Sequence, residues 1–136
     1  MSSTFIIYPG FAVVVLTLIL YTKNRIEVGK AFSAKQIKGS YLKFYKDIPP
    51  DSVEISRQTL KNQFELPIIF YFLIALLYSN GTITQLDLIF AWIFTMSRYI
   101  HAYIRLSSNY VPYRAKMFIV GLIALLAGWI NFIIGL

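Results

Sequence analysis

The chain has 136 residues, 57% of them hydrophobic and 14% charged, with a formal net charge of +7 and a mean hydropathy of +0.62. That is too apolar for an ordinary soluble domain and too short for several, so the composition points to one all-α domain with the bilayer as its solvent. The lack of cysteine excludes disulfides, thiolate nucleophiles and cysteine-ligated metals, and the one-sided placement of the 13 Lys and Arg residues reads as membrane topology rather than nucleic-acid binding.

Four apolar stretches stand out, at about Thr4 to Tyr21, Phe64 to Tyr78, Ile83 to Ile104 and Met117 to Ile134. A span needs about 20 residues, so the second stretch is predicted to continue as helix beyond the hydrocarbon. The expected architecture is a four-transmembrane-helix bundle in a single domain over 1–136, with spans at about 4–21, 52–79, 83–105 and 113–135. No basic residue precedes the first stretch and no small-x-small pattern closes it, so it reads as a retained anchor rather than a cleaved leader. Nine basic residues lie between Tyr21 and Asn62, and Arg98, Arg105, Arg114 and Lys116 flank the third loop. The positive-inside rule then puts both termini outside and the two basic loops in the cytoplasm, against anionic lipid.

After the first span, Ser33-Ala34-Lys35-Gln36 has the pattern of a capping box. It would open a short basic helix with Ile37, Tyr41, Phe44 and Tyr45 among Lys35, Lys38, Lys43 and Lys46, lying in the membrane interface; a solvated loop with aromatic anchors is the other reading. Pro49 and Pro50 break the chain, and Asp51 or Ser52 is expected to cap the next helix, whose first turns carry Glu54, Arg57, Gln58 and Lys61. Pro67 cannot donate to the Gln63 carbonyl, so a bend is expected there.

The most informative segment is Asn62-Gln63-Phe64-Glu65-Leu66-Pro67. Helical spacing puts Lys61, Asn62 and Glu65 on one face, and a carboxylate entering a span is expected to face the interior with a cationic partner. Arg98, His101 and Arg105, at i, i+3 and i+7, share a face of the third span, and Arg114 opens the fourth at the same depth. Several guanidiniums beside one carboxylate and one amide suit a small ligand with more than one carboxylate and an ammonium or amide group, such as a short acidic peptide. The competing explanation is an interhelical salt-bridge network without a ligand. A lone His101 without a second His or a Cys gives no metal site, and no P-loop, dinucleotide fingerprint or Ser-His-Asp order occurs. Gly121, Ala124 and Gly128 give the last span a smooth face for close packing against a neighbouring helix or subunit, while Tyr8, Tyr21, Tyr78, Trp92 and Trp129 fit interfacial belts.

In its four-span layout and in the order Asn62-x-x-Glu65 with Leu66-Pro67, Arg98-x-x-His101 and Arg114, the chain resembles the MAPEG family, the membrane-associated proteins of eicosanoid and glutathione metabolism. Phe64 to Pro67 with Phe70-Tyr71, and Asn109 ahead of Arg114, are similar to its short bacterial branch. The resemblance implies a homotrimer in a bacterial inner membrane, with periplasmic termini and with glutathione as co-substrate between subunits on the cytoplasmic side. Asn62 and Glu65 would then contact glutathione, Arg98 and His101 would line the pocket with Arg105, Arg57, Lys61 and Arg25 as further binding candidates, and Arg114 would stabilise the thiolate. Three positions depart from the family pattern. Gln58 stands where some eicosanoid enzymes carry Arg, with Arg57 one place off; Arg105 replaces a Tyr; and Phe118 occupies a position where a Tyr can occur. The implied function is a glutathione-dependent membrane transferase or peroxidase acting on lipophilic electrophiles or hydroperoxides. The alternative is a non-catalytic trimer that binds glutathione or lipid or acts as a scaffold. A transporter is a third reading, lacking an internal repeat or broken-helix pair to support it.

Overall fold

A computed structural model describes all residues, Met1–Leu136, and is entirely helical apart from short connections. After a 3-10 turn over Ser3–Ile6, the helices are α1 (Ile7–Ser33), α2 (Gly39–Phe44), α3 (Asp51–Lys61), α4 (Leu66–Ser79), α5 (Gln85–Leu106) and α6 (Val111–Ile134). Three helical stretches are long and apolar enough to cross a membrane: Ser3–Ser33, Asp51–Ser79 and Val111–Ile134. Of the four expected spans, α5 is the one that misses on composition, because it carries Asp87, Arg98, His101 and Arg105, all buried. It nevertheless follows α6 along its length. Asp87 accepts from Asn131 at 2.7 Å at one end, Ser97 abuts Gly121 in the middle, and residues 107–110 turn the chain at the other.

Helix α1 does not stop where its apolar run stops. Its 31-residue stretch extends about 46 Å at 1.5 Å per residue, against a hydrocarbon core of about 30 Å, so the last turns project into water and pack on α3. A Lys23–Glu27 pair at 2.8 Å, spaced i,i+4, supports those turns. The capping box expected at Ser33 is not formed, because Ser33 is the last residue of α1. Lys35 takes a left-handed conformation (φ 57) and the Gln36 amide bonds back to the Ala31 carbonyl at 2.9 Å, closing the helix as a Schellman turn. The basic helix shrinks to α2, and Tyr41 turns inward against Ala31, Ile37 and Val53 while Phe44 and Tyr45 stay exposed. Neither Asp51 nor Ser52 caps α3. Pro50 holds the cap position, and Asp51 and Glu54 sit in the first turn, where carboxylates favour the helix dipole.

The expected bend is sharper than a kink. Between α3 and α4 the chain passes through a 3-10 turn at Asn62–Phe64, and Glu65 leaves helical geometry altogether (φ −105, ψ −105) before Pro67 sits in the first turn of α4. The main core joins α1, α4, α5 and α6 through Val13, Phe70, Leu73, Phe94, Ala124 and Leu125, with Phe70 and Phe94 stacked at 4.4 Å. Outside it, Phe11, Leu18, Phe72, Ile119, Ile123, Leu126 and Ile130 lie exposed. Apolar surface on this scale belongs against lipid or other apolar helices, and the chain is a multi-pass membrane protein.

Candidate functional site

The polar face of α5 points inward. Arg98, His101 and Arg105 are all buried, and Arg98 is only 2% exposed. The Arg98 guanidinium lies between the rings of Phe94 and Phe118, at 5.6 and 5.3 Å from their centroids. Its Nε and Nη2 are sealed from solvent without a hydrogen-bond partner, and it takes part in neither of the two salt bridges in the chain. His101 sits beside the same Phe118 ring, at 6.3 Å, where the charges of Arg98, Arg105 and Arg114 all act on it. Arg98 and His101 meet α6 at Phe118, and with Arg105 below them on α5 and Arg114 in the first turns of α6 they make up a polar seam at one end of the helix pair. Cations dominate it.

Two of the guanidiniums in the seam are held by neutral oxygens. Arg105 donates from Nη2 to Gln58 Oε1 at 2.7 Å and from Nε to Thr59 Oγ1 at 3.3 Å, tying α5 to α3. The Gln58 amide nitrogen donates in turn to Glu54 at 2.9 Å, which fixes the orientation of the amide. Arg114, half-buried in the first turns of α6, donates from Nη1 to Asn109 Oδ1 at 2.6 Å. Asn109 adopts a left-handed conformation (φ 49), suited to Asn, and its amide bonds back to the Ile104 carbonyl at 2.7 Å. Gln58, Thr59 and Asn109 were not legible as site residues. The only signals were Gln58 standing where some relatives carry Arg and the Asn109 that lies ahead of Arg114, two residues before α6 opens at Val111.

The other sequence candidates are placed differently. Asn62 is half-buried, whereas Lys61, Glu65 and Arg25 are exposed. Glu65 was expected to face the interior with a cationic partner; it does neither, because the helix breaks at Asn62–Glu65 and carries it to the surface of the chain. Its charge still acts on Arg98, but no ion pair joins them. The same break removes the shared face of Lys61, Asn62 and Glu65. Arg57 is held away from the seam, bonded to both oxygens of Glu54 at 2.9 and 3.0 Å and stacked over Tyr45 at 5.0 Å. Gln63, by contrast, is buried and accepts from Thr17 at 3.3 Å, joining the break to α1.

The small residues of α6 serve this seam from within the chain. A Cβ on Gly121 would stand 2.5 Å from Ser97 Oγ and 3.3 Å from Arg98 Nη2, and one on Gly128 would stand 3.1 Å from Leu73 Cδ2. Ser97 Oγ is engaged with the Phe94 carbonyl at 2.6 Å, so it moves only by losing that bond. Gly121→Ala is therefore expected to destabilise the fold by about 1–3 kcal/mol, the usual cost of overpacking. Adding Ser97→Ala, which removes the clashing oxygen, should recover most of it. Thermal unfolding of the single and double variants tests this, and strictly additive losses would show that the two positions are not in contact.

Comparison with curated proteins and with solved structures gives no match. The family profile of the MAPEG family matches residues 7–134, nearly the whole chain, and the protein belongs to that family.

Proposed function

We propose that the protein is a glutathione-dependent membrane enzyme of transferase or peroxidase type, acting on lipophilic electrophiles or hydroperoxides that arrive through the bilayer. The observation that carries this reading is the buried Arg98 guanidinium, with two nitrogens lacking acceptors, on the same inward face of α5 as His101 and Arg105. A buried cation without an acceptor is costly, and an anionic ligand relieves that cost. Glutathione fits the donor set: its carboxylates can take guanidinium forks, its ammonium can take a carboxylate such as Glu65, and its peptide bonds can take an amide such as Asn62. Family membership supports the same reading, since MAPEG proteins include glutathione-dependent transferases and peroxidases.

In this reading α5 also crosses the membrane, as the third of four spans, because it lies against α6 from end to end, and the polar seam opens toward the cytoplasm with the basic loops. Three copies assemble so that the exposed Glu65 and the apolar outer faces meet a neighbour. Arg114, at the positive end of the α6 dipole, holds the sulfur as its anion, the reactive form of a thiol whose unperturbed pKa is about 8.5. The thiolate attacks an electrophilic carbon, forming a C–S bond as the leaving group departs with its electron pair. With a hydroperoxide it attacks the distal oxygen, breaking O–O and releasing the alcohol after protonation, and a second glutathione reduces the resulting sulfenic acid to the disulfide and water.

The test is thermal unfolding of the protein in detergent with millimolar glutathione. A ligand at a hundred times its Kd stabilises by about 2.7 kcal/mol, which reads as an upward shift of the transition. No shift at millimolar glutathione sinks the proposal. The non-catalytic trimer is the reading that remains if glutathione binds but is not consumed with any lipophilic electrophile or hydroperoxide.

A further inference from the structure

Four basic side chains of this chain are held by side-chain hydrogen bonds, and they fall into two groups according to what holds them. Lys23 and Arg57 are held by carboxylates, Glu27 and Glu54, which cancel their charge. Arg105 and Arg114 are held instead by an amide, a hydroxyl and a second amide, from Gln58, Thr59 and Asn109. A neutral oxygen fixes a guanidinium in place and leaves its full positive charge. The arrangement is demanding, since neither guanidinium has a carboxylate partner within the chain. The nearest carboxylate to Arg105 along its hydrogen-bond chain is Glu54, and the Gln58 side chain stands between them, donating to the one and accepting from the other.

We propose that Gln58, Thr59 and Asn109 are positioning residues that hold Arg105 and Arg114 rigidly without neutralising them, so that the seam keeps its positive charge for an anionic ligand. The ligand class is a small molecule with carboxylate and thiolate groups. This rests on the glutathione reading given above and adds residues that touch no substrate. The pinned guanidiniums lose little conformational freedom when the ligand arrives. Arg105 keeps Nη1 outside both of its bonds to α3, so one edge of the fork is held and another is left to a carboxylate. Asn109 acts the same way on Arg114, where an uncancelled charge favours a thiolate.

Replacement of the neutral oxygen by a charged one separates holding from neutralising. Asn109→Asp keeps an acceptor within reach of Arg114 Nη1 and cancels its charge, whereas Asn109→Ala abandons the hold and keeps the charge. Full-length wild type and variants in detergent are compared for glutathione affinity by calorimetry, and for the pH profile of turnover with a soluble electrophile. The expected result for Asn109→Asp is an unfolding transition at or above that of wild type, with affinity lower by about tenfold or more, the scale of one charge-assisted contact. Its pH profile should also move upward. Gln58→Glu should lower affinity in the same direction, and Gln58→Ala less than Gln58→Glu. If Asn109→Asp binds as well as wild type with an unmoved pH profile, while Asn109→Ala alone loses affinity, the residues only brace the fold and the proposal is overturned. If wild type itself binds no glutathione, the functional reading fails first and takes this one with it.

Discussion

Replacing Arg114 with alanine is expected to lower turnover by about a hundredfold or more, the scale seen when one preorganised charge-stabilising donor is removed. The unfolding transition should stay within about 1 kcal/mol of wild type. The two effects separate because of where the side chain sits. Arg114 is half-buried and its hydrogen bond goes to Asn109 in a connecting turn, so the main core does not depend on it. Its removal leaves the thiol near its unperturbed pKa of about 8.5, so less thiolate is present at neutral pH. The pH profile of the residual rate should therefore rise to higher pH than that of wild type. Arg114→Lys keeps the charge without the planar fork that Asn109 holds and should fall between the two. Steady-state rates with a lipophilic electrophile, measured from pH 6 to 9, check all three. Full turnover in Arg114→Ala would remove it from the chemistry, and a collapse of the unfolding transition would make it structural.

How far the sequence reaches is clearest on α5. The spacing of Arg98, His101 and Arg105 identifies an inward polar face because helical periodicity fixes which side chains share a side, and all three are buried. The same polarity makes α5 less apolar than the other three long helical stretches. Apolar run length, in contrast, marks the edge of the hydrocarbon and not the end of a helix. That is why α1 outlasts Tyr21 by about three turns and closes only at Lys35. Helical spacing also fails where the helix itself fails. Lys61, Asn62 and Glu65 share a face only in an unbroken helix, and the 3-10 turn with the Glu65 distortion turns Glu65 outward.

The neutral partners of the cations were hidden for a different reason. Gln58 meets Arg105 and Asn109 meets Arg114 through tertiary geometry and a left-handed turn, neither of which leaves a periodic trace. A search for charge complementarity favours Glu65 as the partner of Arg98, yet the acceptors found in the seam are uncharged. That difference counts against the competing salt-bridge network and leaves the positive charge of the seam uncancelled within the chain.

Arg98→Met should raise stability in the absence of ligand and abolish the stabilisation by glutathione. The side chain is 2% exposed, so its guanidinium has left water almost completely, and Nε and Nη2 find no acceptor in return. The rings of Phe94 and Phe118, at 5.6 and 5.3 Å, compensate in part, worth about 0.5–2 kcal/mol each, and the unpaired Glu65 acts on it only from a distance. Replacing even a buried ion pair by apolar groups of similar volume is often neutral or stabilising by about 1–4 kcal/mol, and a buried charge without an ion-pair partner has less attraction to lose. Methionine keeps the length and sets a thioether against the same two rings, a favourable contact in its own right. The unliganded variant should therefore unfold at a higher temperature than wild type, and millimolar glutathione should move the variant little while moving wild type upward. Arg98→Ala serves as the contrasting change, since it leaves a cavity between the two rings and should lower stability whether or not ligand is present. A variant Arg98→Met that unfolds earlier than wild type without ligand would mean that the guanidinium is already paired in the assembled protein, with a neighbouring subunit's carboxylate as the natural partner. An Arg98→Met protein that glutathione still stabilises fully would take Arg98 out of the ligand site and remove the observation on which the functional reading stands.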